Sequence, residues 1–92
     1  MIQKRIHIFV AGRVQGVFFR QSTKVMAIKN NVTGWVKNLI DGRVEIVAEG
    51  EKQNIDNLKN WCKTGPANSR VDGFELVDED STGEFENFEV RY

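Results

Sequence analysis

The chain is predicted to fold in the α+β class, as two helices on one face of a mainly antiparallel sheet. Three observations carry this expectation: segments in which apolar residues alternate with period two, two segments with apolar residues at helical spacing, and the order in which they follow one another.

Residues 3–11 set Ile6, Ile8 and Val10 against Arg5, His7 and Phe9, the pattern of a strand with one buried face. From about Arg20 to Asn30, Val25, Met26 and Ile28, supported by Ala27, offer a modest apolar stripe, and NNVTG ends it with Asn residues that tolerate a left-handed exit. TGWVKNLIDGRVEIVAEG reads as two strands, residues 33–39 and 43–49, joined through Asp41 and Gly42, a pair that favours tight hairpin turns. Val44, Ile46 and Ala48 are expected to face the core. Residues 51–64 place Ile55, Leu58 and Trp61 with Cys62 at helical spacing, and Gly65 followed by Pro66 stops them. Residues 71–77 and 85–92 are strand-like, the second alternating Phe88, Val90 and Tyr92 against Asn87, Glu89 and Arg91. DEDSTGE between them reads as a solvated loop. The resulting order, strand, helix, strand, strand, helix, strand with an extra C-terminal strand, is the split βαβ pattern of a ferredoxin-like βαββαβ sandwich. That architecture hosts RNA binders, sensing modules and enzymes, so the element order does not name a function.

At 92 residues the chain fits a single domain, 1–92, with one core. A 40% apolar content with one proline argues against disorder. No apolar run approaches the roughly 18 to 20 residues that span a bilayer, and the N-terminal apolar stretch is too short for a secretory signal, so a cytoplasmic location without a membrane partner is expected. The lone Cys62 has no partner for an internal disulfide, and one Cys with one His does not make an ordinary zinc site. Net charge is zero but unevenly placed: residues 1–40 hold seven Lys or Arg and no acid, the remainder thirteen acids and six bases. Folding can interleave these charges, or it can leave the first half attractive to an anion.

The segment AGRVQGVFFR lies between the first strand and the first helix. It brings Arg20 to the start of a helix with no capping Ser, Thr, Asp or Asn, where the macrodipole disfavours a cation by about 0.3 to 1 kcal/mol. A bound phosphate resolves the conflict. Gly12 and Gly16 let the chain curl around an anion, backbone N–H groups point at it, and the Arg20 fork matches two of its oxygens. The residues alone leave a second reading open, in which the glycines shape a surface turn, Ser22 or Thr23 caps a later helix, and Arg20 is solvated. Neither the GK[ST] ending of a nucleotide loop nor the three-glycine dinucleotide spacing is present.

These residues resemble the acylphosphatase family. Val10 to Arg20 satisfies every fixed position of that family's pattern [LIV]-x-G-x-V-Q-G-V-x-[FM]-R, with Phe18 at a variable place, and GWVKNLIDGRVEIVAEG from Gly34 to Gly50 fits its second pattern. The likeness runs over essentially the whole chain. It implies a ferredoxin-like fold and hydrolysis of the carboxyl–phosphate anhydride of small-molecule acyl phosphates, without metal or other cofactor. By motif position, Arg20 binds the phosphoryl group within the 12–20 loop and Asn38 orients the attacking water. The backbone amides of Val14, Gln15, Gly16, Val17 and Phe18 line the cradle. A monomer acting without nucleic acid is expected.

The residue inventory suits such a reaction. One His, one Cys and no acid in the first 40 positions leave little for general acid–base catalysis, but a departing carboxylate is a weak base that needs no proton. Phosphoryl transfer then depends on positioning and on charge stabilisation. Asn38 can hold a water and hardly deprotonate it, which leaves the substrate's own phosphoryl oxygen to take the proton. Gln15 is expected to brace the loop. His7 reads as a sheet-surface residue, Cys62 and Trp61 as packing, and Trp35, Phe18 and Phe19 as core or loop packing, Phe18 being also placed to flank an acyl group. Two alternatives remain. A nucleic-acid binder is disfavoured by zero net charge and the missing aromatic strand motif. A non-catalytic phosphate-binding module, of the kind found within larger carbamoyltransferases, differs in lacking turnover.

Overall fold

In a computed structural model, which describes residues 2–92, the chain forms β1 (Gln3–Arg13), α1 (Phe19–Lys29), β2 (Thr33–Asn38), β3 (Val44–Glu51), α2 (Lys52–Cys62), β4 (Arg70–Glu79) and β5 (Phe88–Arg91). The strands make one sheet in the order β4-β1-β3-β2-β5. β1 pairs antiparallel with β3 and β4, β2 pairs antiparallel with β3, and β5 adds to β2 in parallel. Both helices cover one face, giving the expected ferredoxin-like α+β sandwich with its additional strand.

The period-two pattern decides which face is covered. Register places Ile6 opposite Ala48, Ile8 opposite Ile46 and Val10 opposite Val44, and all six are fully buried with Val36 of β2. Ile55, Leu58 and Cys62 of α2 close over them. Burial pushes the Cys62 thiol well above its ordinary range, so it behaves as a core side chain.

α1 corrects the sequence reading. Its buried face is Phe19, Thr23 and Ala27, whereas Val25 and Ile28 of the expected stripe are 63% and 60% exposed. The helix begins one residue earlier than expected, and the Thr23 hydroxyl donates to the Phe19 carbonyl at 2.7 Å, which satisfies it inside the core. Gly12 also differs: it belongs to β1, at a register shift opposite β4, and a side chain there would strike the Arg70 carbonyl. The loop therefore spans 14–18, not 12–20. The Asp41–Gly42 turn is wider than a two-residue hairpin, closed by Leu39 N–H to the Arg43 carbonyl at 2.8 Å. Trp35, expected in the core or packing a loop, lies half-buried on the sheet's helix-free face under the Arg91 guanidinium. His7 sits on that face too, within hydrogen-bond distance of Glu45 and Glu79.

The DEDSTGE segment is not merely solvated. Glu49, 4% exposed, accepts the backbone N–H groups of Thr82 and Gly83 at 3.0 and 2.9 Å and the Arg5 guanidinium at 3.0 Å. Burial alone would raise its pKa, but the Thr82 and Gly83 amides, Arg5 and the Thr82 hydroxyl together outweigh this and hold it at about 2. A carboxyl more acidic in the folded than in the unfolded chain stabilises above its unfolded value of 4.5, and that contribution is lost as pH falls toward about 2. Glu49→Gln is therefore expected to lower the unfolding free energy at pH 7 by about 2 kcal/mol. Its stability should also vary less than the parent's between pH 4.5 and 2, as urea unfolding across that range would show.

Candidate active site

The loop 14–18 is shaped from within. Val14 and Val17 are 1% and 7% exposed and plug into the core, which turns the intervening backbone outward. Gly16 takes φ 73° with open space where a side chain would stand. Phe18, flanked by buried Val17 and Phe19, is forced out of the core and into the left-handed region at φ 63°, where a non-glycine residue carries about 1 to 2 kcal/mol of strain. It is 78% exposed and so is not the packing residue its aromaticity suggested.

Phe18 is also the residue from which α1 departs. That helix start has no side-chain cap and no acid in its first turn. Among the described residues, none of the loop amides 14–18 donates to a protein acceptor. Ser22 and Thr23 do not cap it, because the helix has begun before them. Unpaired amides at the positive end of a helix dipole form an anion site.

Gln15 ties this loop to the rest of the site. Its side-chain amide donates to the Leu39 carbonyl at 2.7 Å and the Arg43 carbonyl at 2.9 Å, locking the loop to the β2–β3 turn. The last residue of β2 is Asn38, so the same brace sets the spacing between loop and Asn38. A cavity of about 280 Å³ lies between them, with Val14, Gly16, Phe18, Phe19, Arg20, Gln21 and Asn38 in its wall. A water occupies about 30 Å³, so this volume admits a phosphoryl group together with a water. Of the residues singled out in the sequence, Val14, Gly16, Phe18, Arg20 and Asn38 meet here. The Gln15 and Val17 side chains do not, being spent on the brace and the core.

Asn38 Oδ1 is buried with no hydrogen-bond partner. A buried acceptor left unpaired costs about 1 to 3 kcal/mol, so Asn38 carries an unmet hydrogen-bonding demand in the cavity wall. Arg20 donates Nη1–H to the Arg91 carbonyl at 3.2 Å, and its guanidinium lies 4.6 Å from the Tyr92 ring centroid. The C-terminal strand thus orients the arginine, a role the sequence pattern did not reveal. The only prior sign was the alternation that placed Tyr92 on the face of Phe88 and Val90. The interleaving of charge is partial. Lys4 and Arg5 of the basic first half pair with acids, while among the described residues Arg20 forms no ion pair and no Asp or Glu lines the cavity. Nor do three His, Cys, Asp or Glu side chains converge among the described residues as a metal site requires. What the arrangement offers an anion is amides and a guanidinium.

The sequence model of the acylphosphatase family matches residues 6–90. The chain belongs to the acylphosphatase family. It is 52% identical over 88 residues to an acylphosphatase of Rubrobacter xylanophilus, covering 96% of this chain and 80% of that one. Its backbone is similar to the crystal structure of acylphosphatase from Bacillus subtilis, with a TM-score of 0.92, 37% identity, and coverage of 97% of this chain and 99% of that one. An acylphosphatase structure from Coxiella burnetii superposes with a TM-score of 0.91 at 40% identity, over 97% of this chain and 93% of that one. Both glycine-bearing patterns of the family fall on elements that build the cavity: the first ends at Arg20, and the second contains Asn38.

Proposed function

We propose that this chain hydrolyses the carboxyl–phosphate anhydride of small-molecule acyl phosphates, with the amides of 14–18 and Arg20 holding the phosphoryl group and Asn38 orienting the water. The observation that carries the mechanism is that the uncapped 14–18 loop, Arg20 and Asn38 line one cavity. The Asn38 side-chain amide hydrogen-bonds the water and holds a lone pair of it toward phosphorus. The new P–O bond forms as the bond to the acyl oxygen breaks, and the carboxylate leaves with the electron pair. One water proton stays on the entering oxygen and the other passes to a phosphoryl oxygen, because no carboxylate among the described residues lines the cavity to take it. The products are a carboxylate and dihydrogen phosphate.

Charge on the phosphoryl oxygens is met by donors already in place, each worth on the order of 3 kcal/mol in comparable sites. A weakly basic leaving group requires no acid, and the donors leave no step that calls for a metal or cofactor. Residues 1–92 act as one domain, as a monomer in the cytoplasm and without nucleic acid. The free, buried Cys62 suits a reducing compartment.

The test is turnover of benzoyl phosphate by the purified chain in the presence of a chelator. Asn38→Ala is expected to lower kcat by about 100-fold with an unfolding midpoint no lower than the parent's. A variant as fast as the parent would remove the water-orienting role, and activity abolished by the chelator would overturn the metal-free mechanism.

A further inference from the structure

We propose that Phe18 is a specificity-determining residue: its side chain supports the organic part of the substrate, so that the site selects acyl phosphates with apolar, and above all aromatic, acyl groups. This rests on the function proposed above. In-line displacement puts the water and the departing oxygen on opposite sides of phosphorus. With the water held at Asn38, the acyl group must leave on the side of the phosphoryl group away from Asn38. Of the other residues in the cavity wall, Val14 and Phe19 are buried, Gly16 has no side chain, and Arg20 and Gln21 are polar. Phe18 alone is both apolar and free to touch a group emerging from the cavity, with 78% of its surface exposed.

The backbone reinforces this placement. A left-handed Phe is held against its own strain by the two buried neighbours, so the ring is presented on a fixed stem. Its chain neighbours, Val17 and Phe19, are spent on packing. Change at Phe18 leaves the core intact while altering what stands over the cavity.

Two other apolar surfaces adjoin the cavity, and the first, a cleft of about 390 Å³ lined by Val25, Met26, Trp61 and Pro66, meets it at Gln21. In the second, Ile40 and Tyr92 border a cleft of about 640 Å³ that adjoins the site at Asn38, the side given above to the water. Ile40 is fully exposed at the β2–β3 turn and belongs to no packing cluster.

The experiment compares kcat/KM for benzoyl phosphate and acetyl phosphate in the parent, Phe18→Ala, Phe18→Tyr and Ile40→Ala. Any effect of the substitution on the amide cradle is common to both substrates and cancels in the ratio. Losing a partly buried aromatic contact should reduce the benzoyl-to-acetyl ratio about fivefold in Phe18→Ala, and Phe18→Tyr should restore it. A ratio unchanged in Phe18→Ala, or one that falls in Ile40→Ala instead, overturns the assignment of Phe18 while leaving the hydrolytic function standing. A parent chain that turns over neither substrate overturns the function itself.

Discussion

Arg20→Lys is expected to lower kcat/KM for benzoyl phosphate by about 1,000-fold while the chain remains folded. The substitution keeps the charge, so a loss of this size would come from geometry. A guanidinium offers a planar fork that can donate to two phosphoryl oxygens at once while another N–H stays on the Arg91 carbonyl. An ammonium is a point donor on a flexible stem and cannot do both. It would also forfeit the stacking on Tyr92 that holds the group in place. Since that bond and that stacking are exposed, the unfolding free energy should stay within about 0.5 kcal/mol of the parent's. Steady-state kinetics beside urea unfolding checks both halves. A lysine variant with parental kcat/KM would mean that the guanidinium does not engage the phosphoryl group.

Gly34→Ala is expected to cost about 3 kcal/mol or more of stability, a large part of the 5 to 15 kcal/mol typical of a domain. Gly34 lies inside β2 with φ +140°, and a Cβ there would stand 1.9 Å from the Val47 carbonyl oxygen and 2.8 Å from its carbon. Both obstructing atoms are backbone in the neighbouring strand, so no side chain can swing aside. Gly34 also donates its N–H to Asn87 at 3.0 Å, at the junction where β5 joins β2. A shift at this point disturbs the strand that ends in Asn38 and the strand that carries the carbonyl holding Arg20. A urea midpoint equal to the parent's would show that the sheet absorbs the methyl group.

The fold class, both helices and the core faces of β1 and β3 were legible because each depends on local periodicity. The site was legible to the extent that it lies in one continuous loop: an uncapped helix start with a cation in its first turn already calls for an anion. What escaped were relations between distant residues. Nothing in DEDSTGE signals that Glu49, more than thirty residues upstream, gathers the Thr82 and Gly83 amides. Nor does alternation in residues 85–92 say whether the strand pairs with β2 or β4, or in which direction. The α1 stripe was misread for a chemical reason. Thr23 scores as polar, yet its hydroxyl closes on the Phe19 carbonyl and leaves a surface that packs as valine would, whereas Val25 and Ile28 project into solvent. Gly12 was misassigned because a glycine that allows close strand contact and one that shapes a loop look identical in a sequence.

β5 is a four-residue strand bonded along one side only, and its carbonyl and the adjoining ring keep the arginine in position. Peripheral elements of this kind detach at lower free energy than the interior of a sheet. In the proposed mechanism catalytic competence therefore rests on an edge strand, while the bulk of the molecule rests on β1 and β3. Under mild denaturation the inactivation curve should run ahead of the loss of secondary structure, with a form that has kept its shape and lost its grip on phosphate.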